Sequence, residues 1–112
     1  MTLSNTVAWL VLLAAGLLEV VWAVSMKASE GFTRPLLTAI TIATAWCSFW
    51  LLGLSLKVLP VGTAYAVWTG IGAIGAAVLG IVIFKEPATF ARIGCILLIV
   101  AGILGLKVTS DH

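Results

Sequence analysis

Four apolar runs, broken by short polar punctuation, divide this chain from end to end. They cover about residues 6–26, 36–56, 63–84 and 91–106. The first ends in Lys27-Ala-Ser-Glu-Gly-Phe-Thr-Arg-Pro35, a turn rich in Gly, Pro and charge. The second stops at Lys57 and a Pro60-Val-Gly62 turn, and the third closes at Lys85-Glu86-Pro87. The fourth, the shortest, is prefaced by Arg92 and ended by Lys107. Runs this long and this apolar predict membrane-spanning helices, because lipid cannot satisfy an open backbone. The fold class expected is an all-α integral membrane protein, one four-helix transmembrane domain over residues 1–112. Neither an internal repeat nor a low-complexity segment interrupts the pattern.

Composition sharpens this picture. Of 112 residues, 62% are apolar and only 9% charged, with a mean hydropathy of +1.25. Such a chain has too little polar surface for a soluble enzyme and too much apolar character for disorder. A net charge of +2 without a basic cluster argues against nucleic acid as a partner. Cys47 and Cys95 both lie inside apolar runs, so they read as small hydrophobes packed in helices rather than as a disulfide framework. A cleaved signal peptide is not expected: no Lys or Arg precedes the first run, which carries a Glu and exceeds an h-region in length. No nucleophile–base pair and no metal-ligand spacing occurs, and the lone His112 is the last residue, so neither enzyme chemistry nor a cofactor is expected.

Most charges sit where the membrane ends. The six Lys and Arg, with Glu30 and Glu86, lie in loops or at span ends, and Asp111 and His112 form a tail. Lys27, Arg34, Lys85 and Arg92 fall on one side, against Lys57, Lys107 and the terminal amine on the other. Four against three is nearly balanced, so the positive-inside rule imposes neither orientation. A single orientation and insertion both ways remain open on charge alone.

Glu19 is the exception. It lies past the middle of the first run, where an acidic residue costs about 2.5–3.5 kcal/mol on insertion scales. So short a chain has little reason to carry that cost unless the carboxylate works. Ala15 and Gly16 at i−4 and i−3 leave space beside it, and Trp22 at i+3 supplies an aromatic plane. A carboxylate, a space and an aromatic face suit an organic cation, and the same carboxyl can carry a proton instead. In the third run Tyr65, Trp68, Thr69 and Gly72 share one helical face; in the second Thr38, Thr41 and Ser48 recur at helical spacing, with Thr44 nearby. Trp9 reads as an interfacial belt residue, and Trp46 and Trp50 as structural.

Gly70-Ile-Gly72-Ala-Ile-Gly75 matches G-x-G-x-x-G, yet a dinucleotide site needs a strand before it, and here the motif lies inside a membrane helix. Its physical meaning is backbone laxity at Gly70 and Gly72 and a Gly72–Ala76–Gly80 stripe for close packing. Gly94, Ala101, Gly102 and Gly105 offer a similar surface on the fourth run. Four short helices with one carboxylate can hardly enclose a path and a ligand. Two copies supply eight helices and two Glu19 side chains, and opposite insertion makes between chains the inverted repeat that larger transporters carry within one.

The segments Gly16-Leu-Leu-Glu19-Val-Val-Trp22-Ala, Lys27, Gly31-Phe-Thr-Arg34, the run from Leu59 to Ala73 that carries Tyr65 and Trp68, and Gly105-Leu-Lys107 resemble the small multidrug resistance family over nearly the whole chain. Trp22, the Trp68–Ala76 run and Lys107 resemble its guanidinium-exporting branch; polyaromatic-drug exporters usually have a small residue at the position of Trp22. The resemblance implies an antiparallel, dual-topology homodimer in the bacterial inner membrane that exchanges guanidinium for protons. It further implies Glu19 as the shared proton and substrate site, Trp22 and Ser48 as its hydrogen-bond partners, and Tyr65 and Trp68 as pocket walls. Gly16 would give room beside Glu19, Gly70 and Gly72 would form a hinge, Lys107 would join a polar network, and the fourth helix would be the main dimer contact. Export of quaternary ammonium compounds is the nearest alternative, and Trp22 argues mildly against large cargo. A structural or flippase-partner subunit, or an anion channel, leaves Glu19 without a role.

Overall fold

A computed structural model describes residues 4–109; Asp111 and His112 of the tail, and Met1, Thr2 and Leu3 at the other end, lie outside them. The described residues form four helices, α1 (Asn5–Ala28), α2 (Pro35–Ser55), α3 (Val61–Phe84) and α4 (Phe90–Thr109). At 1.5 Å per residue these are about 30–36 Å long, the thickness of a bilayer's hydrocarbon core. All four are long and apolar enough to cross a membrane. Helix α4 continues to Thr109, beyond the expected end at residue 106, with Lys107 inside its last turn.

Local chemistry sets the ends. Ser4 caps α1, its side chain accepting from the Val7 N–H at 3.1 Å. At the other end the buried Ser29 hydroxyl donates to the Met26 carbonyl at 2.7 Å and accepts from the Phe32 N–H at 3.1 Å. The chain then turns through three successive left-handed residues, Glu30, Gly31 and Phe32. Pro35 opens α2 at the first helical position, where its missing N–H costs nothing. Pro60 precedes α3 in extended conformation, and α3 ends at Lys85 with φ 56°. Thr89 accepts from the Arg92 N–H at 3.1 Å and so starts α4.

The molecule is a slab, 42 × 35 × 16 Å. A helix with its side chains is about 10–12 Å across, so a slab this thin has almost no interior. What core there is lies where α1 meets α2 and α3: Ala8, Leu12 and Ala15 on α1, Leu52 on α2, Leu59 in the turn, and Ala64, Val67 and Trp68 on α3. Helix α4 packs its backbone on α3 alone and buries no residue. Small residues set the approach of α1 to α3. A Cβ added at Gly16 would lie 2.7 Å from Ile71, and one added at Gly75 would collide with Val20. Cys47 and Cys95 are free thiols on outward helix faces. Both lie in helices and neither forms a disulfide, but they are exposed rather than packed as expected; on so thin a slab a mid-helix position is no guarantee of an inward one.

Candidate substrate site

Glu19 projects from α1 against α3 at Gly72. An added Cβ at Gly72 would strike the Glu19 carboxyl, so glycine at this place admits the acid between the helices in the position seen. Glu19 Oε1 is buried and has no hydrogen-bond partner, and the same is true of Trp22 Nε1 one turn further along α1. Buried polar groups are nearly always paired. An ionised carboxylate only accepts and an indole only donates, so the arrangement presents a carboxyl and an aromatic face side by side.

The second helix closes the site differently from expectation. The Ser48 hydroxyl is fully buried; it donates to the Ala15 carbonyl at 2.7 Å and accepts from Trp68 Nε1 at 3.0 Å. Those two bonds join α1, α2 and α3 at one oxygen, and they leave Glu19 outside the group. The threonines of the same helix bond backward within their own helix, Thr41 to the Leu37 carbonyl and Thr44 to Ile40.

Aromatic rings then run from Trp22 to Tyr65. Trp22 and Phe49 lie 6.3 Å apart between centroids, Phe49 and Trp68 5.6 Å, and Trp68 and Tyr65 5.5 Å, all tilted. Phe49 links the two halves of this row, and the sequence reading did not single it out. Its only signal was its place beside Ser48, which at 100° per residue predicts a different face. Trp68 is buried, whereas Tyr65 at the outer end is 56% exposed.

Other named residues fall outside the cluster. Gly16 is buried beneath Ile71, so the space beside Glu19 comes from Gly72 rather than from Gly16. Helix α3 is continuous through Gly70 and Gly72; Gly70 seats Ile103 of α4, whose Cδ1 would lie 2.8 Å from an added Cβ. Lys107 stands over the Trp9 ring at 4.9 Å, far along the slab from the rings around Trp22.

A family model described as Small Multidrug Resistance protein matches residues 7–104. A guanidinium exporter of Yersinia pseudotuberculosis is 54% identical over 103 residues, covering 92% of this chain and 99% of that one. Guanidinium exporters of Citrobacter freundii and Klebsiella oxytoca are each 56% identical over 102 residues, covering 91% of this chain and 97% of theirs.

Proposed function

Since the chain belongs to the Small Multidrug Resistance family and is a multi-pass protein of the inner membrane, we propose that it exports guanidinium and small substituted guanidines in exchange for protons. The observation that carries this reading is the Glu19 carboxyl, seated on Gly72 with a buried oxygen that has no partner. Guanidinium is planar, permanently charged and rich in donors, with no acceptor of its own. A carboxylate takes it in a bidentate, charge-assisted pair, and an indole face accepts it by cation–π attraction. The names of the relatives support the same cargo.

Proton and cation compete for one carboxyl, so each returns the carrier loaded with the other. No bond is made or broken. Ser48 acts through Trp68, holding the indole beside Phe49, and Tyr65 forms the outer wall. The working unit is an antiparallel homodimer whose two copies exchange inward and outward roles. The exposed face of α4 and the outward Trp46, Phe49 and Trp50 of α2 support a second copy as their cover.

The test is transport in proteoliposomes with a trapped pH dye. Guanidinium is expected to drive proton movement in the native protein and none in Glu19→Gln, with apparent affinity weakening as pH falls. A response confined to a tetra-alkylammonium ion would move the cargo to bulky cations. Transport unchanged in Glu19→Gln would remove the carboxyl from the mechanism.

A further inference from the structure

The α3 stripe Gly72–Ala76–Gly80 seats a second carboxyl. At its far end a Cβ added to Gly80 would strike Glu86 Oε1 and lie 3.0 Å from Glu86 Cδ, much as one at Gly72 would strike Glu19. The turn after α3 folds back to place it there: Lys85 is left-handed, and the Glu86 N–H donates to the Gly80 carbonyl at 3.2 Å. Gly72 and Gly80 are two turns apart, about 12 Å along the helix. A cavity between α1 and α3 covers the outer part of this interval, from Ala23 and Ala76, each one turn from Glu19 and Gly72, to Lys27, Phe84, Glu86 and Arg92 at the outer end.

Glu86 is already occupied by the chemistry in question. The Arg92 guanidinium donates to Glu86 Oε1 at 2.5 Å, both side chains being about one-third exposed. This second acid therefore binds a guanidinium group, supplied by the chain itself, in a cavity whose inner wall lies one helical turn from Glu19. We propose that Glu86 is an outer guanidinium site on the route to Glu19, and that Arg92 is its tethered competitor. The proposal rests on guanidinium being the cargo. An arriving ion exchanges with the Arg92 side chain, which swings towards solvent and later returns, releasing the ion to one side or the other. Lys27, whose ammonium lies 5.4 Å from the Phe84 ring centroid, also faces this cavity and adds a repulsive charge. Two cations against one acid make the site weak, as a site of passage must be if it is not to retain its cargo.

A relay and a mere loop clasp predict different signs. Breaking a clasp from either side is equivalent, whereas Glu86→Gln removes the relay site and Arg92→Ala frees it. In proteoliposomes Glu86→Gln and Gly80→Ala are expected to raise the guanidinium KM about threefold, the scale of a partly exposed ion pair, and Arg92→Ala to lower it by a similar factor. Shifts of the same sign for Glu86→Gln and Arg92→Ala, or no shift in either, overturn the proposal.

A binding arm separates this from failure of the transport reading. With Glu19→Gln as background, isotope-labelled guanidinium is titrated against detergent-solubilised protein and its NMR line width followed, potassium serving as the control ion. Broadening in Glu19→Gln/Arg92→Ala that disappears on adding Glu86→Gln supports the outer site whether or not the carrier is proton-coupled. Equal broadening in both variants, each shown helical by circular dichroism, overturns it.

Discussion

Helices α1 to α3 and helix α4 are equally apolar in sequence and opposite in use. In the first three, buried residues line the contacts, and the two orphaned polar atoms and the Ser48 junction lie among them. Helix α4 buries nothing and turns Leu97, Leu98 and Leu104 outward. In water that face would collapse onto the rest of the protein. In lipid it gains nothing by doing so, because acyl chains are as apolar as leucine. Association in a membrane depends instead on close approach and on hydrogen bonds, and both are concentrated between α1, α2 and α3. The candidate site lies there, and the outer face of α4 is turned to lipid or to a second copy.

The largest expected effect tests this contrast with one methyl group. Gly72→Ala forces the Glu19 carboxyl out of its seat and is expected to reduce guanidinium-driven flux about 100-fold or more, since small displacements of a reacting group act on that scale. Gly94→Ala on α4 adds its methyl to open space, and is expected to change flux by no more than about twofold. Flux assays on both variants, with helicity checked by circular dichroism, decide it. A large loss in Gly94→Ala with a reduced dimer fraction would show that α4 is covered by the second copy at that point.

The four helices and the place of Glu19 inside one of them were legible in the sequence because each depends on a one-dimensional signal, an apolar run or a charge inside one. What was not legible was which glycine faces the acid. Gly16 is the near neighbour on the same helix, but Ile71 fills that place and Gly72 of another helix supplies the space. Ser48 raises the same difficulty. Its type and position mark it as important, yet whether its hydroxyl turns to Glu19 or to Ala15 and Trp68 depends on helix rotation, which no spacing within α2 encodes. Phe49 escaped notice for the same reason. The free thiols at Cys47 and Cys95 show the limit in reverse, since apolar surroundings in sequence do not distinguish an inward face from a lipid-facing one.

Ser48→Ala is the next effect in size. It leaves the buried Trp68 Nε1 without its acceptor and the Ala15 carbonyl without its donor. A loss of about 1–2 kcal/mol in stability is expected, the upper end for hydrogen bonds within membranes. Unfolding in mixed micelles measures it. The matched change on α4 is Thr109→Val, whose hydroxyl only returns to its own helix at the Gly105 carbonyl; it should cost less than about 0.5 kcal/mol. Equal losses at both positions would mean that the three-helix junction holds no more than an ordinary helix-end contact does.

The smallest effect concerns the one ring-and-cation contact that ties the end of α4 to α1. Lys107 Nζ lies 4.9 Å from the Trp9 ring centroid, and such contacts contribute about 0.5–1 kcal/mol where they are not fully desolvated. Lys107→Met and Trp9→Leu should therefore each lower stability slightly, and the double variant by less than their sum. Lys107→Arg keeps the cation over the ring and should leave stability unchanged. The cycle matters because the backbone of α4 packs on α3 alone. A coupling near zero would mean that this contact adds nothing to the hold of α1 on the far end of α4, and the contrast between the packed helices and the fourth would become sharper.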